Sequence, residues 1–314
     1  MPATDRLALG LAALGRPAYI NLGRVDALPA DRGVESLRSA TESVLDAAYA
    51  AGVRRVDTAR SYGRAEEFLA GWLDSRGHTD ITVSSKWGYA YVGGWWLDAA
   101  VHESKEHSAA RFHAQWARSR ALLGDRIALY QVHSLTVDSP LFTDGALLDA
   151  LADLAGSGQR LGFSTSGPAQ ADAVRRGLDI ERAGVRVFTA VQSTWNALET
   201  SVGPALAEAR AAGVLVAVKE ALANGRLAVR PPAAVRDAAT RLGVTPDAVA
   251  LAHVLAQPWA DVVLLGPAST AQLADNLAAT GIEAPELAPD LADLADLAED
   301  PGDYWATRSA LPWT

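Results

Sequence analysis

The feature that most constrains this chain is an alternation of two kinds of segment. Short β-branched runs recur between longer Ala- and Leu-rich stretches along most of its length. The runs are Val53–Thr58, Ile81–Lys86, Ile127–His133, Arg160–Ser164, Val185–Gln192, Val214–Lys219 and Val262–Gly266, and each has few polar residues before its C-terminal end. Parallel strands covered on both faces read this way, because no solvent-facing side imposes a polar residue at every second position. An eighth strand is expected within Leu7–Leu22, where glycines blur its limits. The stretches between read as helices. Leu37, Val44, Leu45 and Ala48 share one face before Gly52, and Thr245-Pro246 gives an N-cap with proline in the first turn. Ser269 with Gln272 reads as a capping box opening a helix through Asn276. No linker rich in Pro, Gly or Ser divides the 314 residues. The expected fold class is α/β, a (β/α)8 TIM barrel spanning 1–314 as one domain, preferred over an open doubly wound sheet.

In such barrels the functional groups stand at the C-terminal strand ends and on the loops beyond them. Those ends here carry Asp57, Lys86, His133, Ser164, Gln192, Lys219 and Gly266. Composition limits what they do. With no cysteine, disulfides, thiolate metal sites and thiol catalysis are excluded, and a cytoplasmic chain is expected. A formal charge of -9 argues against nucleic acid as a partner, since phosphate neutralisation needs clustered Lys and Arg. No apolar run approaches the ~20 residues of a membrane span. The apolar stretch Leu7–Leu14 lacks the basic leader of a secretory signal, because Asp5 and Arg6 cancel.

Two local patterns invite other chemistry and fail on geometry. His102-Glu-Ser-Lys-Glu-His107 is one residue longer than a zinc-protease motif, so on a helix its histidines would stand ~140° apart. Gly162-Phe-Ser164-Thr-Ser166 lacks the second glycine of a nucleophile elbow. No Gly-x-Gly-x-x-Gly follows a strand, so a dinucleotide would bind without a Rossmann unit.

The segment Asp57-Thr-Ala-Arg-Ser-Tyr62-Gly63 resembles the Asp-Thr-Ala-x-x-Tyr-Gly signature of the aldo-keto reductase superfamily. Ser84-Ser-Lys86 and Leu129-Tyr-Gln-Val-His133 look like its catalytic lysine and histidine strands. Gly162-Phe-Ser164 and Gln192-Ser-Thr-Trp195-Asn196 resemble its nicotinamide-binding strand ends, and Leu265–Asn276 its adenosine-phosphate loop and helix. The blocks stand in the family's order and cover most of the chain. The resemblance implies a catalytic set of Asp57, Tyr62, Lys86 and His133. It places Ser164, Gln192, Trp195, Lys219, Leu222, Gly266, Ser269, Gln272 and Asn276 against the cofactor, with Trp195 stacking on the nicotinamide. The chemistry fits. Carbonyl reduction needs an acid for the developing alkoxide, and a phenol with a reference pKa near ~10 is a weak one unless a cation assists. Lys86, held charged by Asp57, is expected to lower the Tyr62 pKa, while His133 bonds the substrate oxygen or relays the proton.

The implied function is NADP(H)-dependent interconversion of an aldehyde, ketone or sugar carbonyl with its alcohol, no metal being required. NAD(H) stays open, because no Arg or Lys lies between Gly266 and Asn276 to grip a 2′-phosphate. The sequence departs from the family at Leu11, at Thr165 and at Lys219-Glu220-Ala221-Leu222, which replace a threonine, an asparagine and a Ser-Pro-Leu turn. Lys219 is expected to reach the pyrophosphate or to pair with Glu220. Aromatics after Lys86 suggest a substrate wall of Trp87 with Trp95 or Trp96. The acidic and then aromatic segment 283–314 reads as a tail, folded over the mouth as in the family or lying as a surface helix with a flexible end. Two other functions remain at this stage: a cofactor-binding redox sensor resembling potassium-channel β subunits, and a barrel sugar hydrolase or isomerase. The last needs paired carboxylates or metal ligands at the strand ends, where only Asp57 is evident.

Overall fold

A computed structural model describes residues 3–314. Eight parallel strands close into a barrel: β1 (Leu7–Gly10), β2 (Arg55–Asp57), β3 (Thr82–Trp87) and β4 (Ile127–Leu135). The other four are β5 (Arg160–Thr165), β6 (Ala190–Thr194), β7 (Leu215–Lys219) and β8 (Val262–Leu265). Each strand pairs with its sequence neighbours, and β1 closes the ring on β8 through Leu7 opposite Val263. The chain is thus a (β/α)8 TIM barrel. β1 and β6 are buried at every position, the consequence of a packed interior on one side and helices on the other. The glycine-rich N-terminal segment supplies the eighth strand.

Two sequence expectations change. Val185–Arg186 does not open β6; it pairs antiparallel with Glu181–Arg182 in a two-residue hairpin, and the barrel strand begins at Ala190. Ala183 and Gly184 turn that hairpin with φ of 51° and 75°, so the β-branched Val185 marks an exposed ribbon. The capping box at Ser269 forms by half. Ser269 Oγ accepts from the Gln272 backbone N–H, but Gln272 Oε1 accepts from Ala268 N, one residue earlier. That helix, Thr270–Leu277, continues one residue past Asn276.

Three devices place the site at the C-terminal rim. The β4 register breaks between Val132 and Leu135, with Ser134 at φ 54°, so the bulge re-aims His133 relative to a regular strand. Gly15 lets the loop after β1 lie directly on the Tyr62 turn: a Cβ there would stand 2.2 Å from the Tyr62 carbonyl oxygen and 2.4 Å from Ala65 Cβ. The third is the tail. Helix Pro301–Ser309, capped by Asp300, buries Tyr304 and Trp305, and Thr314 exchanges backbone hydrogen bonds of 3.0 and 3.2 Å with Tyr19. It therefore folds across the mouth.

Gly15→Ala is expected to destabilise the protein by about 1–3 kcal/mol through overpacking of backbone against backbone. A lowered urea midpoint at unchanged denaturant slope checks this.

Candidate active site

A cavity of ≈ 390 Å³ opens at the C-terminal rim, lined by Asp57, Tyr62, His133, Gln192 and Lys219 among others. One end is walled by Arg16, Tyr19, Tyr89, Glu103 and Trp313. The other end runs past Leu222 to Gly266, Gln272 and Asn276.

At its floor Asp57 is 2% exposed and Lys86 1%. Lys86 Nζ donates to Asp57 Oδ1, and to the Thr58 carbonyl at 3.1 Å. Asp57 Oδ2 accepts from Ser84 Oγ at 2.6 Å, Gln192 Nε2 at 3.1 Å and Gln131 Nε2 at 3.4 Å. Lys86 lies 5.1 Å from the centre of the Tyr62 ring, and its charge is committed to Asp57. Tyr62 faces His133 edge-on at 5.6 Å between ring centres.

The electrostatics assign protonation states. Burial holds the Tyr62 phenol well above its ordinary value, Asp57 adds to the effect, and Arg16 opposes it. Lys86 is not among the leading influences, which revises its expected role as the cation that lowers the Tyr62 pKa. Burial, reinforced by Lys86, Lys219 and Arg16, holds His133 well below the usual histidine range. His133 is therefore a neutral imidazole, suited to hydrogen-bonding an oxygen, and Tyr62 carries a proton.

Six of the nine residues expected on the cofactor side line the cavity: Gln192, Lys219, Leu222, Gly266, Gln272 and Asn276. Gln272 bridges Ala268 N and Gly23 O, tying the helix start to the loop after β1. Ser164 is buried beside the rim, where its hydroxyl accepts from Ser134 N at 2.8 Å. Ser269 caps its helix without lining the cavity. Trp195 does not reach the cleft; it stacks on His253 at 5.1 Å and meets Trp259 edge-on in the helical layer. The expected substrate wall is also absent. Trp87 points outward onto Phe112 and His107, Trp95 donates its indole N–H to the Arg32 carbonyl, and Trp96 is 70% exposed.

Residues that sequence reasoning missed take their place. The zinc-like His102–His107 segment is not helical: Glu103–Lys105 pairs antiparallel with Tyr89–Tyr91 and brings Glu103 to the cleft. Among the described residues no group of three His, Asp or Glu side chains is placed to hold a metal ion. Asp57 is not the only carboxylate at the rim either. Glu220, just beyond β7, lines the cavity with φ 56° and forms a two-pronged pair with Arg308 of the tail, at 2.5 and 2.9 Å. Lys219 donates to Thr194 Oγ1 at 2.7 Å and stands 3.5 Å from Glu220. Burial pushes Lys219 down to about 8. Burial would raise Glu220, but Arg308 and Lys219 outweigh it and hold the carboxyl down to about 2.

A closed parallel barrel that gathers buried polar side chains into one rim cleft has the architecture of a barrel enzyme. The aldo/keto reductase family model matches residues 35–288, and the chain belongs to that family. It is accordingly an oxidoreductase of small-molecule carbonyls from a family that uses nicotinamide cofactors. It is similar in structure to PA4992, named as an aldo-keto reductase of Pseudomonas aeruginosa, with TM-score 0.63 and 25% identity over 88% of this chain and 89% of that one. An aldo-keto reductase from Bacillus halodurans shares the fold at TM-score 0.69 and 20% identity, over 95% and 94% of the two chains. No match is found among curated proteins. No helix among the described residues is long and apolar enough to cross a membrane.

The Glu220 carboxyl is lowered from 4.5 to about 2, so its stabilisation is complete above about pH 4.5 and lost as pH falls toward 2. Glu220→Gln should cost about 2–3 kcal/mol at pH 7, less than a fully buried pair because Arg308 keeps 21% of its side chain exposed. Urea unfolding at pH 7, 5 and 3 should show that gap undiminished at pH 5 and narrowed at pH 3.

Proposed function

We propose that this chain reduces an aldehyde, ketone or sugar carbonyl, or oxidises the corresponding alcohol, with Tyr62 as the proton donor in reduction. The observation that carries the reading is the convergence of protonated Tyr62 and neutral His133 on one cleft above the Asp57–Lys86 pair. His133 directs a substrate oxygen toward Tyr62 by hydrogen bonding. Tyr62 transfers its proton to that oxygen as negative charge develops there. Asp57 and Lys86 support the floor, fixing the polar groups beneath the phenol.

The nicotinamide cofactor supplies the hydride when bound. The residues present fit such a group. Gln192 Oε1 and Asn276 Oδ1 are buried amide oxygens without a partner, one toward each end of the cavity, and both suit amino groups of a dinucleotide. The N-terminus of helix Thr270–Leu277, beside Gly266, suits a phosphate. Lys219 and Leu222 would lie along the cofactor between these ends, and Ser164 keeps a hydroxyl proton to donate. We place NADP(H) ahead of NAD(H) on the family resemblance. Tryptophan-fluorescence titration with NADPH against NADH decides between them. The reading includes cytoplasmic residence, in keeping with a chain that has no cysteine.

Tyr62→Phe should bind NADPH with wild-type affinity and lose carbonyl reduction by about 10²–10⁴-fold, the range attributable to general acid catalysis. Following NADPH absorbance with a panel of aldehydes, alongside the binding titration, checks both halves. A variant that retains most of its turnover would remove Tyr62 as the donor.

A further inference from the structure

Arg16 is buried like a core residue although it carries a charge. Only 1% of it is exposed, and it lies on the loop between β1 and the Tyr62 turn. Its guanidinium carbon stands 5.3 Å from the centre of the Tyr62 ring, 4.6 Å from that of Tyr19 and 5.0 Å from that of Trp313. Nη1 donates to the Ser61 carbonyl at 3.0 Å and to Glu103 Oε1 at 2.7 Å, while Nε is buried without a partner. The loop itself is pinned: Arg24 donates to the carbonyls of Ala13 and Pro17, at 2.7 and 2.8 Å, and to that of Arg16. Desolvating a guanidinium is expensive, and an apolar side chain would fill this space without that cost. That charge stands on the wall of the cleft, directly against the Tyr62 ring.

The groups around Tyr62 show what the charge does. Asp57 faces it from β2, Lys86 from β3, His133 from β4, Glu103 from the hairpin, Glu220 from beyond β7, and Arg16 and Tyr19 from the loop after β1. The three carboxylates disfavour a phenolate, and Lys86, paired with Asp57, is not among the leading influences on the ring. His133 is neutral. Arg16 is the cation that acts against the carboxylates.

We infer that Arg16 is a positioning residue for proton transfer at Tyr62: its guanidinium, oriented by Ser61 and Glu103 and covered by Trp313, holds the phenol ring and stabilises the phenolate. The Tyr62 O–H bond breaks, the proton joins the substrate oxygen, and the negative charge stays on Tyr62 Oη within the field of Arg16 until solvent returns a proton. In the alcohol-oxidising direction the same field favours the phenolate that accepts the proton. The inference rests on Tyr62 being the acid.

The test is the rising alkaline limb of kcat/KM for oxidation of 4-nitrobenzyl alcohol with NADP+, together with ¹³Cζ-tyrosine NMR titration of the Tyr62 phenol. The NMR resonance is assigned by its loss in Tyr62→Phe, and it reports without turnover. Arg16→Met should move both curves up by about one pH unit, about tenfold in rate at fixed pH, and Arg16→Lys should restore part of the displacement. Glu103→Gln, which removes a carboxylate, should move them down. Curves that coincide with wild type, or that move the same way in both variants, would leave Arg16 a packing residue and overturn the inference. If Arg16→Met does not fold, Arg16→Gln, which keeps a polar side chain and removes the charge, is measured in its place. Full turnover in Tyr62→Phe would instead sink the acid assignment, whatever Arg16 does to the NMR curve.

Discussion

The carboxylate of Asp57 ties the barrel together through its interior. It stands at the end of β2 and accepts from Lys86 and Ser84 on β3, Gln131 on β4 and Gln192 on β6. In a medium of low dielectric constant a lone buried carboxylate is costly, and these donors satisfy its two oxygens. Each donor is thereby fixed in direction. The polar floor of the cleft and the polar centre of the barrel are one network, so the candidate chemistry cannot be separated from the fold that holds it. Lys86 illustrates the trade. Its ammonium is engaged by Asp57 and the Thr58 carbonyl, and the field at Tyr62 is set by Asp57 together with Arg16, Glu103 and Glu220 above the floor.

Much of the architecture was legible because buried parallel strands leave a distinctive trace. Runs such as Leu161–Phe163 and Val262–Leu265 are apolar without alternation, and polar residues gather where each run ends. Placing Asp57, Lys86, His133 and Gln192 at one rim followed from that. The same reading failed where it ignored the period of the strand. Successive side chains point to opposite faces, so if Lys86 enters the barrel, Trp87 must leave it toward the helices, and it packs on Phe112. Gln192 and Thr194 face inward by the same count, which carries Trp195 outward onto His253.

The upper half of the cleft was not legible, and the reason is distance along the chain. Arg16, Glu103 and Trp313 meet around Tyr62 from three separate segments, and none lies at the end of a barrel strand. Arg16-Pro17 reads locally as punctuation, and Glu103 sits in a segment whose spacing suggests a failed metal motif. Arg16 stands out as a buried cation with an unpartnered Nε on the wall of the cleft, and that property exists in three dimensions alone. Glu220 was visible as a departure from the family turn, yet its partner Arg308 stands on the tail, 88 positions away.

Closure of the ring also bears on how the protein is made. β1 can pair with β2 early in synthesis, but its other edge stays open until residues 262–265 of β8 leave the ribosome. Four-fifths of the chain must therefore wait with an unpaired edge, and contacts of such long sequence separation slow folding. The cleft is finished later still, when Trp313 covers Arg16 and Thr314 pairs with Tyr19. A nascent or clipped chain ending before residue 300 would hold Asp57, Tyr62, Lys86 and His133 yet have no roof over them. The roof is thus added only after every strand of the barrel has been made, so a half-made barrel presents no finished cleft.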